Sequence, residues 1–368
     1  MIYLDNSATT KPKTEVLETF VKVNENYYAN PASIHLMGNQ AEDLLEGARA
    51  QIADLLGMEK IIFTSGGTEA NNLALQGVAE AAKARGMHLI TAASEHSSVL
   101  KTMDALEKRG FEITRLPVGR MGEIDLSELK KALRNDTVLL SLMHVNNEIG
   151  AVHPIAEVKK LLAGTRTLLH CDGVQSIGKV PIDRQNMPDL LTISGHKIHG
   201  LKGSGVLAYN KGVEMVPVQH GGGHEYGLRS GTVSVADAVA LAKALRLAEP
   251  RPEFAIWNQQ MRDFLSNFNG VRVVSPKDAA PHILAIAVKG VKGEVLVSGL
   301  QQQSVIVSTS SACSSKSTAA SHVIDAIGLP REFKDGVIRI SFGAFTTADD
   351  IASFQKAFAH VYAIIKGA

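Results

Sequence analysis

The sequence predicts an α/β fold: a large domain built on a mainly parallel seven-stranded sheet, with a smaller α+β domain towards the C-terminus. Three observations carry this. Between about residues 60 and 210, short and continuously apolar runs alternate with amphipathic helical periodicity, as expected where helices cover both faces of a parallel sheet. Polar residues suited to chemistry stand directly after those runs, at the strand ends where such folds bind ligands. The 368 residues, 45% of them hydrophobic, suffice for about two domains with cores that need no covalent staples.

In chain order, the predicted strands of the large sheet are Ile61–Ser65, His88–Ala92, Glu112–Leu116, Val138–Val145, Thr167–Cys171, Leu190–Ser194 and Val206–Tyr209. Val99, Met103 and Leu106 share one helical face, as do Leu126, Leu129 and Leu133 behind an N-cap at Asp125. A helix-rich stretch, Val233–Ala248, leads to Glu249-Pro250-Arg251-Pro252, where proline breaks the chain. A helical pattern over Phe254–Phe268 and strands at Val271–Val274, Ile283–Val288 and Val337–Phe342 follow. The expected division is 12–250 for the large domain, with 1–11 and 251–368 forming the small one. The compositionally biased segment is Ser308–Ser321, rich in Ser, Thr and Ala.

Charge and composition exclude several function classes. With 38 Lys+Arg against 37 Asp+Glu and no basic run, the chain has no electrostatic footprint for nucleic acid or an anionic membrane. No apolar stretch approaches the ~20 residues of a membrane span, and MIYLDNSATTKP lacks the regions of a signal peptide. A cytoplasmic location is expected. Two cysteines, Cys171 and Cys313, make neither a disulfide framework nor a metal-ligand spacing.

Five candidates for chemistry follow different strands. Lys197, after the apolar strand Leu190–Ser194, suits an amine nucleophile that forms a Schiff base, or is a surface-loop lysine. Asp172 could pair with the pyridinium nitrogen of pyridoxal phosphate, or serve as a cap or turn residue. Ser65-Gly66-Gly67-Thr68-Glu69 reads as strand, tight turn and helix start, which can hold a phosphate dianion or be only a capped turn. His96 could stack on a flat cofactor and shuttle protons, or be structural. Asn147, in Asn146-Asn147-Glu148, completes the set. The weight lies in their number, all at one predicted sheet edge.

Together with Tyr3–Thr10, Val145–Gly150, Cys171–Ser176, Arg229-Ser230-Gly231-Thr232 and Ile338–Gly343, these motifs resemble the cysteine desulfurases, which are fold-type I, class V pyridoxal-phosphate enzymes. The resemblance spans nearly the whole chain. It implies pyridoxal 5'-phosphate as cofactor, imine-linked to Lys197, which then acts as base for the substrate α-proton. Asp172 would face the pyridine nitrogen, Gln175 the phenolic oxygen, and His96 the ring. Gly67, Thr68, Ser194 and His196 would hold the phosphate, and Asn147 and Arg339 would grip the carboxylate of L-cysteine. Thr232 is similar to a residue that reaches the partner subunit's phosphate, implying a homodimer.

Cys313, in a small-residue loop, would accept the sulfur as a persulfide and pass it to an acceptor or iron–sulfur scaffold protein. The resemblance is to the long-loop branch of the family. It implies no intrinsic metal, although Cys313 could ligate a transient iron–sulfur cluster. Another class V activity (aminotransferase or selenocysteine lyase) and a weakly active sulfur-assembly scaffold are the alternatives. His199, Leu201, His224, Tyr226 and Ala29 depart from common family residues, which bears on loop geometry and partner choice.

Overall fold

The structure is a computed structural model and describes residues 1–310 and 321–367. Its strands in chain order are β1 (Ile2–Tyr3), β2 (Lys60–Thr64), β3 (His88–Ala92), β4 (Glu112–Leu116), β5 (Thr137–Met143), β6 (Leu168–Asp172), β7 (Leu190–Ser194), β8 (Gly205–Tyr209), β9 (Val271–Val273), β10 (Ile283–Val288), β11 (Val305–Ile306), β12 (Ser308–Thr309) and β13 (Val337–Ser341). Seven of them form one sheet in the order β2-β8-β7-β6-β5-β3-β4. Neighbours from β7 through β4 are parallel, and β8 lies antiparallel to both β2 and β7. The antiparallel strand has a simple cause. Only Gly195–Ser204 joins β7 to β8, too little chain for the crossover of a dozen or more residues that a parallel return needs.

Every residue of β3, β5 and β7 is buried, because both faces are covered. One face packs on the helix Gly67–Ala82, whose Leu73, Leu75 and Val78 meet Leu89, Leu139 and Leu207. The other meets the helices Leu36–Leu56 and Val235–Arg246 through Ile52, Leu241 and Leu245. The chain stops being helical before Pro250 and resumes at Glu253.

A four-stranded sheet, order β12-β13-β10-β9, lies in the C-terminal part. It is covered by the helices Glu253–Leu265 and Ala348–Lys366, whose Phe264, Phe354 and Phe358 rings pack together with Phe268, which follows the first of them. The N-terminus returns to this part: β1 pairs in parallel with β11, and Asp5 bridges to Ser341. That places residues 5–10 between the two sheets. No helix among the described residues is long and apolar enough to cross a membrane.

Several strand ends differ from expectation by a residue or two, and two of them bear on the site. The run Val138–Val145 ends as a strand at Met143, because Asn146 Oδ1 accepts from the Glu148 and Ile149 amides and turns the chain. Asp172 is the last residue of β6, paired with Met143 and Thr192, rather than the first of a loop. Its carboxylate is therefore aimed by the sheet itself.

Candidate active site

The C-terminal ends of β3, β5, β6 and β7 open on a cavity of about 300 Å³, closed from the other side by Ser7, Ala8 and Arg339. Gly67, Thr68, His96, Asn147, Asp172, Gln175, Ser194, His196 and Lys197 all line it. The sixteen-residue helix Gly67–Ala82 begins there, behind Gly66 at φ +149°, a backbone conformation that favours glycine. A Cβ on Gly67 would come within 2.9 Å of Val174 Cγ2 and 3.7 Å of Ser194 Cβ. Free amides at this positive helix end, beside the Thr68 and Ser194 hydroxyls, make a seat for a phosphate.

Asp172 is buried, and both its oxygens are held: Oδ1 accepts from the Val174 amide at 3.0 Å and Oδ2 from Asn71 Nδ2 at 2.8 Å. Asn71, one turn into the helix from Gly67, also donates to Ser98 Oγ. His96 Nδ1 accepts from the Ser98 amide at 3.1 Å, which leaves the hydrogen of a neutral ring on Nε2. Burial lowers the His96 pKa, against Asp172, which raises it. A flat, neutral ring beside a fixed carboxylate suits a heteroaromatic ligand. Behind them Glu95 is fully buried; burial raises its pKa well above the usual carboxyl range, although Oε1 accepts from the Met143 amide.

Lys197 sits in a single helical turn, Gly195–Lys197, directly after β7. Its Nζ donates to the Ser7 and Ala8 carbonyls at 2.5 and 2.8 Å. Gln175 Nε2 reaches the same Ser7 carbonyl at 2.9 Å. His196 Nδ1 lies 3.2 Å from Thr9 Oγ1, and burial, with Lys197 nearby, lowers its pKa to about 4.

Arg339 reaches the cavity from β13. Nη1 donates to the Asn147 carbonyl and Nη2 to Asp5 Oδ1, each at 2.8 Å. The guanidinium fork is thus already partly engaged, and its Nε has no hydrogen-bond partner among the described residues. Next to Asn147, Glu148 Oε2 accepts from Ser321 Oγ at 2.6 Å and ties the two sheets' loops together. Burial raises the Glu148 pKa to about 7, opposed by the Ser321 bond and by Arg339. A carboxyl whose pKa is raised in the fold weakens the fold as pH rises from its unfolded value near 4.5 to about 7. Its ionisation there costs on the order of 3 kcal/mol. Glu148→Gln is therefore expected to melt higher than the wild type at pH 8, with the two curves converging below pH ~4.5; equal melting temperatures at both pH values would refute this.

Thr232 lies elsewhere. It lines a separate cavity of about 120 Å³ with Thr64, Ser65 and Arg229, the last paired to Glu69 at 2.7 Å. Among the departures, His199 takes φ +61° and joins the two parts of the chain, Nδ1 to the Lys11 carbonyl and Nε2 accepting from the Ala344 amide. Tyr226, at φ +60°, covers Arg49, which is paired with Glu225 at 2.7 Å. Cys171 is buried, and desolvation raises its thiol pKa well above the ordinary range. Cys313 lies outside the described residues. Among those residues no group of three or more His, Cys, Asp or Glu could hold a metal ion.

Sequence reasoning missed Ser7, Asn71 and Asp5. Asn71 is inside a helix, and the other two precede the first strand of the large sheet by more than fifty residues. Asp5 and Ser7 fall in the Tyr3–Thr10 motif but had no role assigned there; only the fold brings Ser7 and Asn71 to the cavity and Asp5 to Arg339. Ser7 Oγ and Asn71 Oδ1, like Arg339 Nε, are buried and without a hydrogen-bond partner among the described residues. Orphaned polar atoms, a phosphate seat, a fixed carboxylate and an amine fit a phosphorylated pyridine aldehyde with an amino acid beside it.

The aminotransferase class-V family matches residues 2–354. A NifS/IcsS protein homolog of Lactobacillus delbrueckii subsp. bulgaricus is 42% identical over 375 residues, covering 98% of this chain and 97% of that protein. The cysteine desulfurase IscS of Escherichia coli is 42% identical over 366 residues, covering 95% of this chain and 90% of its own. A solved NifS-like protein superposes with a TM-score of 0.91 at 34% identity, over 100% of both chains. Members of this family depend on pyridoxal phosphate. Sheet order, site and similarity agree: the chain belongs to the class-V aminotransferase family, in its NifS/IscS branch.

Proposed function

We propose that the chain is a cysteine desulfurase, which removes sulfur from L-cysteine, releases L-alanine and holds the sulfur as a persulfide on Cys313. The supporting observation is the convergence of Lys197, Asp172, His96 and Arg339, from separate strands, on one cavity of about 300 Å³. Pyridoxal phosphate bound there would supply an aldehyde for an amine and an electron sink for the substrate's α-carbon. Gly67, Thr68, Ser194 and His196 would hold its phosphate, Asp172 its ring nitrogen, Gln175 its phenolic oxygen, and His96 would lie against the ring.

Lys197 Nζ takes the α-proton of the substrate and later returns one to carbon. Asn147 and the Arg339 guanidinium bind the substrate carboxylate, the free Nε of Arg339 adding to whichever Nη hydrogens remain. The Cys313 thiolate attacks the substrate sulfur. An S–S bond forms, the C–S bond breaks and its electron pair stays on carbon, which is protonated to alanine. No external oxidant is needed. The persulfide then passes to an acceptor in iron–sulfur cluster assembly or tRNA thiolation, in the cytoplasm.

Two observations support a homodimer. Thr232 stands outside its own chain's cavity, and large apolar side chains are exposed along one stretch, among them Tyr28 at 71%, Ile34 at 98% and Leu36 at 74%. The direct test of the function is incubation with L-cysteine, then mass spectrometry of the Cys313 peptide. A gain of one sulfur atom on that peptide is expected, with alanine formed in equal amount. Keto-acid production without the sulfur adduct would overturn the proposal in favour of an aminotransferase.

A further inference from the structure

Lys179 lies two turns of chain beyond Asp172 and is used by none of the steps above. Its Nζ is 3.3 Å from Gln175 Oε1, its one side-chain hydrogen bond among the described residues. Gln175 Nε2 is 2.9 Å from the Ser7 carbonyl, which also accepts from Lys197 Nζ. An ammonium only donates and a carbonyl only accepts, so one orientation of the Gln175 amide satisfies both ends: oxygen to Lys179, nitrogen to Ser7. The NH2 group keeps a second hydrogen, and Gln175 lines the active-site cavity. The face it shows to a ligand is therefore a donor.

Lys179 has no carboxylate within ion-pair distance among the described residues. The charged and titratable groups it faces are Lys197, His196, His199 and His282. Burial, with Lys197 adding to it, lowers its pKa to about 7. It also lines a cavity of about 840 Å³ beside Phe342 and Phe345, where the groups of the active site are absent. Lys179 is half-buried and has no counter-ion among the described residues, and the one side-chain hydrogen bond it makes there is to the amide of Gln175.

We propose that Lys179 is a positioning residue: by holding Gln175 Oε1 it turns the amide NH2 towards the phenolic oxygen of the bound coenzyme. Without it, Oε1 is left buried and unpaired, and the amide is free to flip and set oxygen against oxygen. A donor to a phenolate stabilises the deprotonated form. Losing it raises the pH at which the coenzyme-loaded protein gives up its proton. This rests on the reading of the cavity as the coenzyme site.

The test is a pH titration of the visible absorbance of protein loaded with pyridoxal phosphate. Lys179→Met is expected to raise the midpoint, by about a tenfold change in proton affinity. Lys179→Gln, which can still donate to Oε1 without a charge, is expected to stay within about threefold of the wild type. In a Gln175→Ala background, Lys179→Met is expected to move the midpoint by less than about threefold. A midpoint unmoved in Lys179→Met, or a full shift that persists without Gln175, would overturn the proposal, the latter showing a through-space charge effect. Should Lys179→Met fail to fold, Lys179→Gln decides: a tenfold shift in it overturns the positioning role. A wild-type protein that takes up no coenzyme would instead overturn the reading of the cavity, and this proposal with it.

Discussion

Lys197→Ala is expected to lower sulfide release from cysteine by on the order of 10⁴-fold and to remove the borohydride-reducible adduct with pyridoxal phosphate. Lys197 is the one lysine lining the cavity among the described residues. In the proposed reaction it has two duties that an alanine cannot share, as the amine for the coenzyme's aldehyde and as the base at the substrate α-carbon. Its Nζ is held by two carbonyls of residues 7 and 8 at the cavity wall, where water can take its place, so the fold should survive. Wild-type melting behaviour with no reducible adduct is the expected signature. Peptide mapping after reduction supplies the check, and Lys179 is the informative alternative, since its amine stands one glutamine away. An adduct found there, or activity that persists in the variant, would sink the assignment of Lys197.

Much of the fold was legible because buried strands leave an unmistakable trace. Leu190–Ser194 and His88–Ala92 read as strands from apolar content alone and are strands with those bounds. Less legible were features set by tertiary geometry. The apolar run that begins at Val138 does not stop at Met143; the Asn146 side chain turns the chain there, and a polar bend after an apolar run leaves no periodic signal. The orientation of β8 followed from linker length rather than from its own residues. Ser308 and Thr309 look like part of a low-complexity segment, yet pair with Arg339 and Ile338 because β13 offers them an open edge.

The candidate site divides in the same way. His96, Asn147, Asp172 and Lys197 could be picked out because ligand sites in open α/β sheets lie beyond the carboxyl ends of strands, and all four line one cavity. Asn71 could not, because it is a helical residue whose meaning is the Asp172 oxygen opposite it. Nor could Asp5, which occupies part of the Arg339 fork. That pairing has a consequence for substrate binding. A carboxylate entering beside Arg339 meets a guanidinium already shared, so specificity depends on the N-terminal segment as well as on β13. Burial raises the Asp5 pKa, while Arg339 opposes the rise, so the arrangement is not a simple surface ion pair.

Cys313→Ser is expected to keep coenzyme loading and its absorbance, while sulfide release from cysteine under a reductant falls by on the order of 10³-fold or more. The segment carrying Cys313 joins two described contacts that both adjoin the substrate pocket. Upstream, Ser308 pairs with Arg339 in the small sheet. Downstream, Ser321 bonds to Glu148, the neighbour of Asn147. Cys313 is three positions beyond Ser310, a reach of no more than ~11 Å of extended chain. The other thiol cannot stand in. Cys171 is buried within β6, and desolvation keeps it a neutral thiol, whereas the thiolate is the nucleophile. Serine keeps the size of the side chain but supplies no thiolate and cannot hold a persulfide. Undiminished sulfide release from the serine variant, or a persulfide mapped to Cys171 in the wild type, would exclude Cys313 from the reaction while leaving the coenzyme site untouched.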